Sequence, residues 1–306
     1  MLNQDASATP TQSLVPTQAH LEKLTEIIAL RFGQKVVVSD LHFTSLSGTH
    51  QVWECAFEIN APTHTHTERL IVKQLHEHAG QAFSFESTFA LQQELFSIEL
   101  AAEPIYLSPE NTLWVEAYVF NIKAANIKTP SLATPEEILA RALAQLHSVD
   151  LAKTETSGSA KTSTIRQLDP IAQCQMLIRT VQNISSSHQA GELTLALDNL
   201  LTEFAALINS HDELVLCHND LHLDHVRGDF KCAAYKCVDW EYAAMGPRYF
   251  DLAMCIVINQ LSAQQQTQLL QVYAEQTHFD IEAVKQQTQL YVRLAQIINQ
   301  AWALLV

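Results

Sequence analysis

The chain has 306 residues and a formal net charge of −15, a length that allows two lobes and a substantial core. Hydrophobic residues make up 47% and charged residues 17%, the balance of a globular rather than a disordered chain. So acidic a chain excludes a broad nucleic-acid surface, which needs clustered Lys and Arg. It suits cationic substrates, and any phosphate handling then requires a local lysine, backbone amides or a metal. The six cysteines form no C-x-x-C pair and read as reduced, partly buried thiols. The N-terminus lacks the basic and apolar regions of a signal peptide, and no apolar run approaches a membrane span. A cytoplasmic protein without nucleic-acid or membrane partners is expected.

Residues 1–17, rich in Thr, Gln, Ser and Pro, are expected to form a disordered tail. "AHLEKLTEIIALRFG" (19–33) suits an amphipathic helix that buries Leu21, Leu24, Ile28 and Leu30. Three strand-like segments follow, "KVVVSDLHFTSL", "HQVWECAFEI" and "ERLIVKQL", with His64 and His66 in a solvated turn over 60–68. Residues 85–101 have helical spacing, and 111–120 return to strand character.

From 134 onward the chain is mainly helical, Thr134 with Glu136 and Glu137 marking a helix start. Residues 152–164 read as a linker or mobile loop. Helical patterns resume over 166–182 and 192–210, and two short strand-like runs, "ELVLCH" and "AAYKCVDW", bracket a polar loop. Helices over 262–276 and 280–305 close the chain, the second burying Val284, Tyr291, Leu294, Ile298 and Trp302. A mostly β first third before a mostly α remainder predicts two lobes with a cleft between them.

The polar loop, "LCHNDLHLDHV" (216–226), carries the chemistry. Asp220 follows a strand, where a carboxylate can orient a hydroxyl or accept its proton. Asp239 comes fourteen residues after His225, and two neighbouring strands would set Asp220, His225 and Asp239 on one rim. A hard cation favours one or two carboxylates together with phosphate oxygens, an arrangement that suits phosphoryl transfer. A zinc site of His218, His222 and His225 is the competing reading; no Cys or Glu completes it at a familiar spacing.

His218, Asp220 and His225 keep the His-x-Asp and Asp-to-Asn spacings of a kinase catalytic loop, and Asp239 stands where the metal-binding Asp follows. Joined to "KCVDWEYAAMGPRYFDLA" and to "LAQLHSVDL" (143–151), the motif resembles the choline kinase and thiamine kinase branch of the aminoglycoside phosphotransferase-like family, over roughly residues 30–275. The resemblance implies a bilobal, protein-kinase-like α+β fold. Its small antiparallel β-rich N-lobe would span 18–120 and bind nucleotide. Its larger, mostly helical C-lobe would span 121–306 and hold the catalytic and acceptor sites.

The same resemblance implies the roles. Asp220 is the catalytic base, Asp239 and His225 are metal ligands, and His218 and Asp251 are structural. Lys73 grips the phosphates of ATP, with Glu86, or Glu94 later in the same segment, as its carboxylate partner. Ser47, Gly48 and Thr49 form the phosphate-covering turn, and Glu116 and Tyr118 belong to the hinge segment that holds adenine. Trp240 and Glu241 face a small-molecule alcohol, aromatic and acidic groups that suit a cationic metabolite of the thiamine or choline kind. ATP and Mg²⁺ are the implied cofactors, with Mn²⁺ admitted because His225 replaces the usual Asn. An antibiotic phosphotransferase and an inactive nucleotide-binding pseudokinase are the alternatives.

Overall fold

The computed structural model describes residues 15–33, 37–46, 50–60, 64–76, 84–120, 133–150, 165–184, 188–204, 213–229 and 234–305. The expected turn Ser47–Thr49, the linker 152–164 and most of the N-terminal tail lie outside these residues. Internal contacts divide the chain into two compact units, one of Met1–Glu77 with Glu103–Tyr118, the other of His78–Ala102 with Val119–Val306.

The first unit is an antiparallel sheet backed by one helix. Its strands are β1 (His42–Leu46), β2 (Gln51–Asn60), β3 (Thr65–Gln74), β4 (Pro104–Leu107) and β5 (Leu113–Ala117), in the order β1-β2-β3-β5-β4. Alternation along β2 buries Trp53, Cys55, Phe57 and Ile59 on one face, beside Leu70 and Val72 of β3 and Leu113 and Val115 of β5. Helix α1 (Gln18–Phe32) covers that face with Leu24, Ile27 and Ile28. The Thr17 hydroxyl caps it by accepting the His20 amide, and Gly33 ends it at φ +64°. Leu30, expected in the core, is 86% exposed, and Ile27 takes its place on the apolar stripe. Lys73 lies next to Val72 on β3, on the opposite face from the core.

The second unit contains helices α2 (Phe85–Ser97), α3 (Pro135–His147), α4 (Pro170–Ile184), α5 (His188–Phe204), α6 (Arg248–Ile258), α7 (Ala263–Thr277) and α8 (Ile281–Ala303). Thr134 and Glu137 form a reciprocal capping box at the start of α3, the signal read in the sequence. Helix α8 buries Val284, Tyr291, Leu294 and Ile298, while Trp302 at its end is only half-buried. The free thiols Cys55, Cys174, Cys217, Cys237 and Cys255 are buried, and burial pushes Cys55 and Cys174 up to about 12. Among the described residues no helix is long and apolar enough to cross a membrane.

The expected pair of neighbouring strands does not form. Strand β6 (Leu214–Cys217) pairs with β9 (Ala244–Pro247), and β7 (Val226–Asp229) pairs with β8 (Ala234–Cys237). Sequence patterning misses β9 because Gly246 and Pro247 read as a turn. It also misses α6, in which Phe250–Ile256 are all buried.

Candidate active site

Strand β6 delivers the chain to His218, and two left-handed residues then shape the site. Asn219 has φ +64° and Asp239 has φ +69°, conformations that Asn and Asp tolerate better than most residues. The first turns the chain into the loop that carries Asp220. The second ends the run after β8 and starts a short 3-10 turn, Trp240–Tyr242.

Helix α6 holds this loop at two points. The Asp251 carboxylate, fully buried, accepts the His218 amide at 2.8 Å on Oδ2 and the Asn219 amide at 2.7 Å on Oδ1. Asn259, just past the helix end, accepts the Leu223 amide at 3.1 Å and donates to the Leu221 carbonyl at 2.9 Å. Behind Asp251, His147 Nε2 donates to Oδ2 at 3.1 Å, and Nδ1 is hydrogen-bonded to the Tyr273 hydroxyl at 2.8 Å. A carboxylate can only accept, so Nε2 is the donor in that bond.

Asp220, His225 and Asp239 converge: one ligand atom from each lies within 4.8 Å of the others. His225 Nδ1 donates to the Asp220 carbonyl at 2.7 Å, and its Nε2 faces Asp239 Oδ2, 3.7 Å away. An Nδ1–H···O=C bond is a usual way of fixing a metal-ligating histidine, whose Nε2 is then left for the ion. Two carboxylates and one imidazole fit a divalent cation such as Mg²⁺ or Mn²⁺. Burial, then the charges of Asp239, Glu241 and Asp251, push the Asp220 carboxyl up to about 8. His222 Nε2 lies 3.8 Å from Asp220 Oδ1 at the rim.

His218 does not join a zinc cluster. It is fully buried, donates from Nε2 to the Val238 carbonyl at 3.0 Å, and lies between the rings of Trp240 and His225. Burial and the neighbouring His225 push it down to about 4, so it is neutral.

The sequence pattern of the phosphotransferase enzyme family matches residues 123–286, more than half of the chain. The chain belongs to this family. Choline kinase LicA from Streptococcus pneumoniae has a similar fold, with 16% identity over 92% of this chain and 90% of its own, TM-score 0.60. LicA has also been solved with AMP. Plasmodium vivax ethanolamine kinase shares 14% identity over 91% of this chain and 80% of its own, TM-score 0.60. A spectinomycin phosphotransferase in complex with ADP and spectinomycin shares 14% over 92% and 86%, TM-score 0.57. At such identities the likeness shows the fold alone, which is protein-kinase-like. No curated protein matches the chain in sequence.

Against this phosphotransferase fold, the remaining expected residues fall into place unevenly. Trp240 is a correction: it is 2% exposed and donates from Nε1 to the Cys237 carbonyl at 3.0 Å, so its ring is core and offers no face to an acceptor. Glu241 is 8% exposed, yet its charge raises both Asp220 and Tyr242. The accessible aromatic pair is Tyr242 with Trp302 of α8, half-buried rings 6.1 Å apart at 82°. Sixty residues of sequence separate the two, so no local pattern announces them. Lys73 is on β3 of the first unit, with Nζ 6.0 Å from the Trp114 ring centroid. Glu86, in the first turn of α2, accepts from the Ser84 hydroxyl, and Glu94 is half-buried on the same helix. Glu116 is buried within β5 and accepts from Trp114 Nε1 at 2.9 Å. Tyr118, just past β5, lies under Arg69 at 5.6 Å.

Proposed function

We propose that this phosphotransferase moves the γ-phosphoryl group of ATP to the hydroxyl of a small cationic alcohol of the choline or thiamine kind. The observation that carries the reading is the convergence of Asp220, His225 and Asp239. In this reading Asp220 orients the acceptor hydroxyl and takes its proton as the oxygen attacks phosphorus. When bound, a divalent cation held by Asp239 and His225, Mg²⁺ or Mn²⁺, supplies positive charge that offsets the phosphoryl oxygens and favours ionised Asp220. His218 and Asp251 keep the loop in shape.

Acceptor preference follows from the surroundings of Asp220. The edge-to-face pair Tyr242 and Trp302 offers π density to an alkylated nitrogen. Glu241 adds negative charge near Asp220 and Tyr242, and a partly desolvated carboxylate attracts a cation more strongly than one in bulk water. Nucleotide binding is assigned to residues 18–120, with Lys73, Glu86, Glu116, Tyr118 and the Ser47–Thr49 turn. Catalysis and acceptor binding are assigned to 121–306. The free, buried thiols accord with a cytoplasmic setting.

The test is ATP-dependent phosphorylation of choline, ethanolamine, thiamine and an aminoglycoside set, with Mg²⁺ or Mn²⁺, for wild type and Glu241→Gln. Turnover on a small cation with a raised KM in the variant supports the reading. Turnover on neutral sugars alone, or an unchanged KM for the cation, overturns it.

A further inference from the structure

Arg166 lies before α4, more than seventy residues from the Trp240–Tyr242 turn that it touches. Residues 166–168 run beside β9: the Arg166 carbonyl accepts the Met245 amide at 2.9 Å, and the Met245 carbonyl accepts the Leu168 amide at 2.9 Å. From this strap the guanidinium reaches the turn. Nη2 donates to the Tyr242 carbonyl at 2.9 Å, and Nε donates to the Ala243 carbonyl at 3.4 Å.

The Tyr242 carbonyl accepts a second bond, from Asn219 Nδ2 at 3.0 Å. Asn219 is the residue before Asp220, and the Tyr242 ring meets Trp302. A single residue therefore joins the catalytic loop, the strap and the aromatic pair. Packing alone does not call for a guanidinium here, since carbonyls at the end of a turn can be satisfied by water. The planar fork of an arginine supplies two donors on one edge and can grip two successive carbonyls; a lysine reaches one.

We infer that Arg166 is a positioning residue for acceptor recognition, holding the turn so that Tyr242 and Glu241 stand in register with Asp220. The inference rests on the phosphotransfer reading above. Arg166 donates to backbone carbonyls of the turn rather than to Asp220, His225 or Asp239, so its effect falls on the acceptor and spares the nucleotide.

The experiment compares wild type, Arg166→Gln and Arg166→Lys by hydrogen exchange over residues 240–246 and by steady-state kinetics with ATP, Mg²⁺ and either choline or thiamine. Exchange in that peptide is expected to quicken in Arg166→Gln while the core helices keep wild-type protection. The acceptor KM is expected to rise about tenfold in Arg166→Gln and less in Arg166→Lys, with the ATP KM held within about twofold. Lysine keeps the charge and one donor, so Arg166→Lys serves if the glutamine variant does not fold. Unchanged exchange over 240–246, or KM values for ATP and acceptor that rise together, overturns the inference. A wild type that phosphorylates neither probe overturns the acceptor reading instead, and the exchange comparison still decides whether Arg166 holds the turn.

Discussion

Asp251→Asn isolates the clamp on the loop that carries Asp220 with a change of almost no volume. The carboxylate serves three donors, the amides of His218 and Asn219 and the ring of His147, with Oδ1 taking one and Oδ2 two. An amide has one oxygen. If that oxygen stays with His218 and His147, the new NH₂ group faces the Asn219 amide, and a buried N–H goes unpaired at a cost of about 1–3 kcal/mol. The two surviving bonds become neutral rather than charge-assisted and lose about 1 kcal/mol each. Removing a buried charge returns part of its desolvation penalty, so the net loss is expected to be about 3 kcal/mol. That is a large share of the roughly 5–15 kcal/mol that holds a domain together. Urea unfolding followed by tryptophan fluorescence measures the loss, and hydrogen exchange at residues 218 and 219 locates it. A midpoint within error of wild type, with unaltered exchange at those two amides, would refute the clamp.

Asp220→Asn is expected to lower turnover by about a thousandfold, the scale of a lost general base, while ATP binding persists; near-normal turnover removes Asp220 from the mechanism. The same variant reports on pH. In the metal-free protein the folded carboxyl holds its proton up to about pH 8, whereas an ordinary one ionises near 3.8. Wild type therefore loses stability as pH rises between those values, by at most about 1.4 kcal/mol per pH unit, and the variant, which cannot ionise, does not. The two melting curves should coincide near pH 3.5 and diverge toward pH 8, and parallel profiles would contradict the shift. Asp239→Ala is expected to abolish metal-dependent nucleotide binding, while His225→Asn keeps activity and shifts preference from Mn²⁺ toward Mg²⁺. Wild-type metal titrations in His225→Ala would exclude that histidine as a ligand. Trp302→Ala is expected to raise the acceptor KM about tenfold without moving that for ATP, whereas Trp240→Phe costs stability and leaves both constants alone; the reverse pattern would restore Trp240 to the acceptor site.

The convergence of Asp220, His225 and Asp239 was legible because the three are close in sequence and chemically unusual. Asp220 and His225 share one loop, and Asp239 follows a short apolar run; the three converge although the strand pair expected to bring them together does not form. Trp240 misleads for a physical reason. Proximity to an accessible aspartate suggests shared exposure, but the left-handed residue at 239 redirects the chain, and the indole turns inward to the Cys237 carbonyl. Tyr242, Trp302 and Arg166 meet only through tertiary structure, and nothing local marks them. The helix start at Thr134 was readable because a capping box is a local device. Leu30 was misplaced because one position of error along a helix rotates a side chain by about 100°.

Helix α6 spans the interval between Asp251, which fastens one half of the loop around Asp220, and Asn259, which fastens the other. It works as a spacer of set length as much as a packing element. Side chains between the two anchors can change so long as volume is kept, because the loop feels only the ends. Inserting or deleting one residue is different: it slides one anchor by about 1.5 Å and swings it through about 100° relative to the other. No loop conformation could then satisfy both. Variation in this stretch is thus expected to come as substitutions at constant length, with the count from 251 to 259 more tightly bound than the identity of most residues within it.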